Sequence, residues 1–166
     1  MKVLMVYLSE SGNTGKLANA IFNGIDSAEK EILAIKDVTG VEGYDVVFIG
    51  FPVQTHSVPA KVEAFVKTLP AGQKVAYFAT HGSMRGGEMA VTAFYHALTI
   101  SKNAVILGTF GSRGEVKQSI IESLLQKPEH RGWALEAQGA AGHPDAADFE
   151  DGKNWAQSMI TKARNS

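Results

Sequence analysis

The run Val3-Leu4-Met5-Val6-Tyr7-Leu8, followed directly by Ser9-Glu10-Ser11-Gly12-Asn13-Thr14-Gly15, decides the fold. Six consecutive apolar residues suit a strand covered on both faces, as in a parallel sheet flanked by helices. The polar, glycine-containing segment breaks that strand. Leu17, Ala18, Ile21 and Ile25 then recur at helical spacing. A buried strand that turns straight into an amphipathic helix begins a strand–helix–strand unit.

Working outward, the same alternation continues along the chain. Apolar runs at 32–35, 46–50, 75–79 and 105–110 predict four more strands. Val62, Phe65, Val66 and Leu69 fit one helical face after Pro59, and Met89, Ala90, Ala93, Phe94, Ala97 and Leu98 form a longer stripe. Helical spacing returns over 116–125. It returns again from Asp145, with Phe149, Ala156, Met159, Ile160 and Ala163 on one face and the Asp145 carboxylate available as a cap. The segment 127–143 is polar and lacks a clear period, so it reads as an excursion between the last two helices. The order βαββαβαβα predicts an α/β fold: one five-stranded parallel sheet with helices on both faces.

Composition fits one domain over residues 1–166, with 45% hydrophobic and 20% charged residues. Sixteen Lys+Arg against seventeen Asp+Glu leave a formal charge of −1 and no basic cluster. That balance argues against nucleic acid, where phosphate neutralisation supplies most of the affinity. The absence of cysteine removes disulfides, iron–sulfur ligation and thiolate metal sites. The amino-terminal apolar run is too short for a signal peptide or a span, and no longer run follows. The expectation is a cytoplasmic protein without membrane contact.

In doubly wound sheets, ligands sit outside the carboxyl ends of the strands. The loop 9–15 ends a strand and opens a helix, whose first amides lack partners and carry about half a positive charge. Hydroxyls from Ser9, Ser11 and Thr14, with Gly12 for close backbone approach, suit a phosphate without any cation. The same residues also suit a simply well-capped helix. Other phosphate motifs fail on spacing. A Walker A loop and the Gly-x-Gly-x-x-Gly fingerprint would both need glycine where Glu10 stands, and Leu17 follows Lys16.

With its strand, the segment Ser9-x-Ser11-Gly12-Asn13-Thr14 resembles the phosphate loop of the flavodoxin family. Gly50-Phe51-Pro52-Val53-Gln54-Thr55-His56 after the third strand and Thr80-His81-Gly82-Ser83-Met84-Arg85-Gly86-Gly87 after the fourth fall where that family places its flavin-ring loops. The resemblance spans the chain. It implies sheet order 2-1-3-4-5, an FMN cofactor and a role in electron transport. It also implies cofactor-binding residues: Ser9, Glu10, Ser11, Gly12, Asn13 and Thr14 at the phosphate; Pro52, Val53, Gln54, Thr55 and His56 along the ring; and Thr80, His81 and Gly82 at its pyrimidine side. A flat slot lined by peptide groups is the environment that tunes a flavin.

Two departures bear on the role. The loops hold no Trp or Tyr to cover the ring, and the near-zero charge differs from the acidic surface that steers a shuttle to its partner. Three readings stay open: a carrier serving a redox partner protein, an FMN-dependent oxidoreductase reducing a small conjugated acceptor, and a flavin-free interaction module. The chain is expected to be a monomer or homodimer. Arg85 reads as a solvated loop cation or as a binder of an acidic substrate. His96, His130 and His143 share no ligand spacing with carboxylates and read as structural, so no metal site is expected. Asp145, Asp148, Glu150 and Asp151 read as complements to a helix amino end.

Overall fold

Val3, Leu4, Met5 and Val6 are fully buried, and their alternate side chains enter opposite cores. This is the signature of a strand covered on both sides. A computed structural model describes residues 1–27 and 29–166. Its parallel sheet contains β1 (Lys2–Tyr7), β2 (Glu29–Ala34), β3 (Val46–Pro52), β4 (Lys74–His81) and β5 (Val105–Arg113), in the order β2-β1-β3-β4-β5. Every pairing is parallel. The expected order is therefore the observed one.

Among the described residues six α-helices accompany the sheet: α1 (Asn13–Gly24), α2 (Ala60–Val66), α3 (Glu88–Ile100), α4 (Gln118–Leu125), α5 (Arg131–Gln138) and α6 (Ala146–Arg164). On one face, Leu17, Ala18 and Ile21 of α1 and Ala156 and Ile160 of α6 pack with Met5, Phe48 and Phe78. Trp155 completes this core, stacked on Phe110 at 5.5 Å and edge-on to Phe48 at 5.6 Å. On the other face, Val62 and Val66 of α2 and Ala93 and Ala97 of α3 meet Val47, Ile49, Phe51 and Tyr77.

Two local differences from the sequence reading have plain causes. The segment 127–143 is more ordered than its pattern suggests: a 3-10 turn over Pro128–His130 leads into α5. That helix buries only Ala134 and Ala137, against Ile121 of α4, and two small residues make a faint stripe. Second, β3, β4 and β5 run further toward their carboxyl ends than the apolar runs do. Pro52, Thr80 and His81 therefore stand on strand ends and share the rigidity of the sheet.

α6 begins where the sequence places it. Asp145 accepts from the amides of Ala147 and Asp148 at 2.9 and 3.1 Å, and Asp148 returns a bond from the Asp145 amide at 2.9 Å. The pair is a reciprocal cap that satisfies otherwise orphaned helix donors.

Candidate functional site

At the carboxyl ends of β1, β3, β4 and β5 lies a cleft of about 260 Å³. Glu10, Ser11 and Asn13 form one end, Pro52, Val53, Thr80, His81 and Gly82 form the floor, and Gly114, Glu115, Val116, Lys117 and Ile120 close the far side. Eight of the sequence-derived candidates thus converge. Ser9, Gly12, Thr14, Gln54, Thr55 and His56 do not line it.

The amino end of α1 is left open for an anion. Gly12 occupies its cap position at φ +96°, a conformation that glycine adopts at no steric cost. Among the described residues no side chain caps the helix and its first turn holds no acid; the nearest carboxylate in the loop is the exposed Glu10, two positions before the cap. The loop's side chains are partly committed elsewhere. Ser9 Oγ accepts from the Gly15 amide at 3.1 Å, Asn13 Nδ2 donates to the Glu115 carbonyl at 2.9 Å, and Thr14 Oγ1 lies 2.8 Å from Thr80 Oγ1 in a buried pair. Ser11 stays exposed at the cleft.

The loop after β3 folds back on itself. Gln54 and Ser57 exchange two backbone hydrogen bonds, and Thr55 and His56 between them adopt φ +47° and +59°. This is the two-residue turn with positive φ at both central positions. His56 is its exposed tip.

His81, by contrast, is buried at the end of β4. Its Nδ1 lies 3.1 Å from the Ser83 carbonyl and 3.0 Å from the Ser83 hydroxyl. Its Nε2 is buried and without a partner among the described residues. Burial holds the imidazole pKa below the ordinary histidine value; the Ser83 carbonyl opposes that shift, and Arg113 and Arg85 add to it. Space around the cleft is tight. A Cβ at Gly82 would stand 2.5 Å from Val116 Cγ2, and one at Gly114 would stand 3.0 Å from Asn13 Nδ2.

The segment after β5 is the part of the cleft that sequence reasoning missed. Residues 111–117 carry no recognisable motif. The usable signal was topological, since β5 neighbours β4 and its carboxyl end must border the same crevice. Arg85 stays exposed in its loop, as the solvated reading has it, yet it is partnered. Its Nη1 pairs with Asp151 at 2.7 Å, its Nε donates to the Gly111 carbonyl at 3.0 Å, and its guanidinium lies 5.0 Å from the centroid of the Phe110 ring. It straps the β4–α3 loop to α6 and does not line the cleft.

Nor is His143 remote from carboxylates. Its Nδ1 is 2.5 Å from Asp148 and 3.9 Å from Asp145, and the three form a cluster, but both acids are already engaged in the α6 cap. His96 is held by Ser57 Oγ at 2.7 Å and by the Val58 amide at 3.3 Å.

A family profile described as a flavodoxin domain matches residues 4–157. The chain belongs to the flavodoxin family. Among curated proteins it is similar to the flavodoxin-like domain-containing protein BilS of Clostridioides difficile (strain CD3), 27% identical with 98% of each chain covered. The solved flavodoxin of Megasphaera elsdenii in its two-electron reduced form is 24% identical, with a TM-score of 0.58 over 81% of this chain and 97% of that one. A flavoprotein from Lactobacillus acidophilus NCFM, solved in complex with FMN, is 18% identical, with a TM-score of 0.56 over 66% of this chain and 92% of that one. The structures establish likeness of fold. No described helix of this flavodoxin-family chain is long and apolar enough to cross a membrane.

Proposed function

We propose that this chain holds FMN in the cleft and acts in electron transfer as a reductase of a small conjugated acceptor. Membership of the flavodoxin family supports FMN-based electron transfer as the general role. The observation that carries the reading is convergence: the uncapped amino end of α1 and the ends of β3 and β4 open into one crevice. The residues fit the group. A Cβ at Gly82 or Gly114 would press on Val116 or Asn13 of the lining, and the first turn of α1 holds no acid, Glu10 being the carboxylate at that end of the cleft.

When bound, FMN supplies one- and two-electron chemistry that no side chain offers. The chain's own residues bind and orient. Asn13 and Thr14 spend their side chains within the protein, so Ser11 carries the side-chain share of phosphate binding, beside the amides that open α1. Pro52, Val53, Val116 and Ile120 give aliphatic walls that exclude water from a planar ring. The reductase reading is favoured over the carrier by two features. A net charge of −1 provides little steering field, and no Trp or Tyr lines the cleft to cover a ring face.

The test begins with the absorption spectrum of the purified chain, expected to show flavin bands whose heat-released chromophore is FMN. Ser11→Ala should remove a hydrogen bond to a charged group, about 1.5–3 kcal/mol, weakening FMN roughly ten- to hundred-fold and riboflavin little. Stopped-flow reoxidation of the reduced protein by a small quinone should change little with ionic strength. A colourless chain that quenches no FMN fluorescence returns the flavin-free interaction module. Slow quinone reoxidation, with salt-dependent exchange to a protein partner, returns the carrier.

A further inference from the structure

The inner side of α3 buries Ala90, Ala93 and Ala97. Its outer side leaves Val91 55%, Tyr95 73% and Leu98 41% exposed. Those three follow one another at intervals of four and three, the spacing of a helix seam that packs on another helix. Glu88, the first residue of α3, and Lys102, two positions past its end, are both exposed, and neither has an ion-pair partner among the described residues. Between them the chain holds no Asp, Glu, Lys or Arg. The contrast with α6 is clear, since its exposed positions include Glu150, Asp151, Lys162 and Arg164.

We propose that this face docks on the same face of a second copy, with the two α3 helices antiparallel about a two-fold axis at Tyr95. The charge pattern selects that occupant. Glu88 opens α3 and Lys102 follows its end, so antiparallel pairing brings each copy's acid to the end of the partner helix that carries the base. Parallel pairing would set like charges together. Val91 of each copy then meets Leu98 of the other, and the two tyrosines meet at the centre. A two-fold interface uses one self-complementary patch on both partners, and this seam is self-complementary in both charge and apolarity. Tyrosine is among the residues enriched at such contacts. None of the seam residues lines the cleft, so assembly leaves the proposed FMN site open. A single helix pair is a small interface, and the dimer is accordingly concentration-dependent.

The test is sedimentation velocity on the full chain from about 1 µM to about 1 mM, the range in which a small interface dissociates. The parent should shift from monomer to dimer. Tyr95→Lys should weaken association at least about ten-fold, as loss of a central aromatic does. Glu88→Lys and Lys102→Glu should each weaken it, because like charges then face each other twice per dimer. Mixed one to one, these two single variants should associate about as well as the parent, and the double swap Glu88→Lys/Lys102→Glu should recover self-association. Circular dichroism confirms that each variant is folded. A parent that is monomeric throughout overturns the proposal. So does a mixture that associates no better than its separate components, which would leave α3 to a different protein or to no partner.

Discussion

Thr14 and Thr80 form the most exacting test of how the cleft is built. Their hydroxyls are 2.8 Å apart, the two residues are 1% and 4% exposed, and among the described residues neither hydroxyl has another side-chain partner. Thr14→Val keeps the shape and deletes one hydroxyl. It removes a hydrogen bond with a net value of about 0.5–1.5 kcal/mol and strands the Thr80 hydroxyl in a site closed to water, where an unpaired group costs about 1–3 kcal/mol. The single change should therefore cost about 2 kcal/mol, and Thr80→Val about the same. Replacing both strands nothing, so the double variant should lie within about 1 kcal/mol of the parent. The coupling energy between the sites should then be about 3 kcal/mol, with the double variant more stable than either single one.

Urea unfolding of the apo protein, followed by far-ultraviolet circular dichroism, reads this directly, with m-values unchanged across the cycle. In thermal scans, each kcal/mol should appear as about 2–4 °C for a chain of this length. The same variants should bind FMN nearly as the parent does, because Thr14 Oγ1 faces Thr80 and not the cleft. Single variants within about 0.5 kcal/mol of the parent, or an FMN affinity that collapses while stability holds, would refute the buried pair and return Thr14 to the phosphate.

Other expectations follow from the surroundings of three further residues. Burial depresses the His81 pKa, so the unfolded chain takes up a proton first as pH falls through about 6.5. The stability that His81 contributes is thus present above that pH and lost below it, and urea midpoints at pH 5 and 7.5 should draw closer together in His81→Gln. The Asp145 carboxyl is held below its ordinary pKa by the Asp148 amide first, with the Ala147 amide helping. Its contribution is present above the usual carboxylate range and lost as pH falls through the lowered value. Asp145→Ala should lower the melting temperature at neutral pH, whereas Asp145→Asn, still a good cap, should keep most of it. Arg85→Ala should leave FMN affinity unchanged and cost no more than about 1 kcal/mol in urea, since the Arg85–Asp151 pair is 42% and 54% exposed.

The parallel sheet was legible because each buried strand is a short apolar run alternating with helical stripes, and its order followed from the resemblance to the flavodoxin family. The open amino end of α1 was legible because strand, breaker and helix follow one another within the residues 3–25. What was hidden depends on long-range partners. Asn13 reaches Glu115 across 102 residues and Thr14 reaches Thr80 across 66, and no local pattern encodes either. His81 reads as a loop residue because polar and glycine residues follow it, yet pairing with Arg113 of β5 carries the strand through it and buries it. Arg85 reads as free because Asp151 and Phe110, which hold it, lie on other elements. The helix α5 escaped because its buried stripe is two alanines.

Those long-range bonds also determine what the cleft can tune. Val53 N–H donates to the Thr80 carbonyl at 2.9 Å, Gly114 N–H to the His81 carbonyl at 2.8 Å, and Asn13 Nδ2 to the Glu115 carbonyl at 2.9 Å. The four segments bordering the cleft are thereby tied to one another by groups that belong to, or abut, the sheet. Peptide dipoles in such a frame barely reorganise when charge changes beside them, and preorganisation of that kind makes electrostatic stabilisation effective. In the FMN reading, the peptide groups would set the flavin's electronics, while the side chains of Pro52, Val53, Val116 and Ile120 would set how much of the ring is open. Changing those aliphatic walls should alter access by an acceptor more than the energetics of the bound cofactor. Changing Gly82 or Gly114, where a Cβ would press on Val116 or Asn13, should disturb the frame and with it both properties at once.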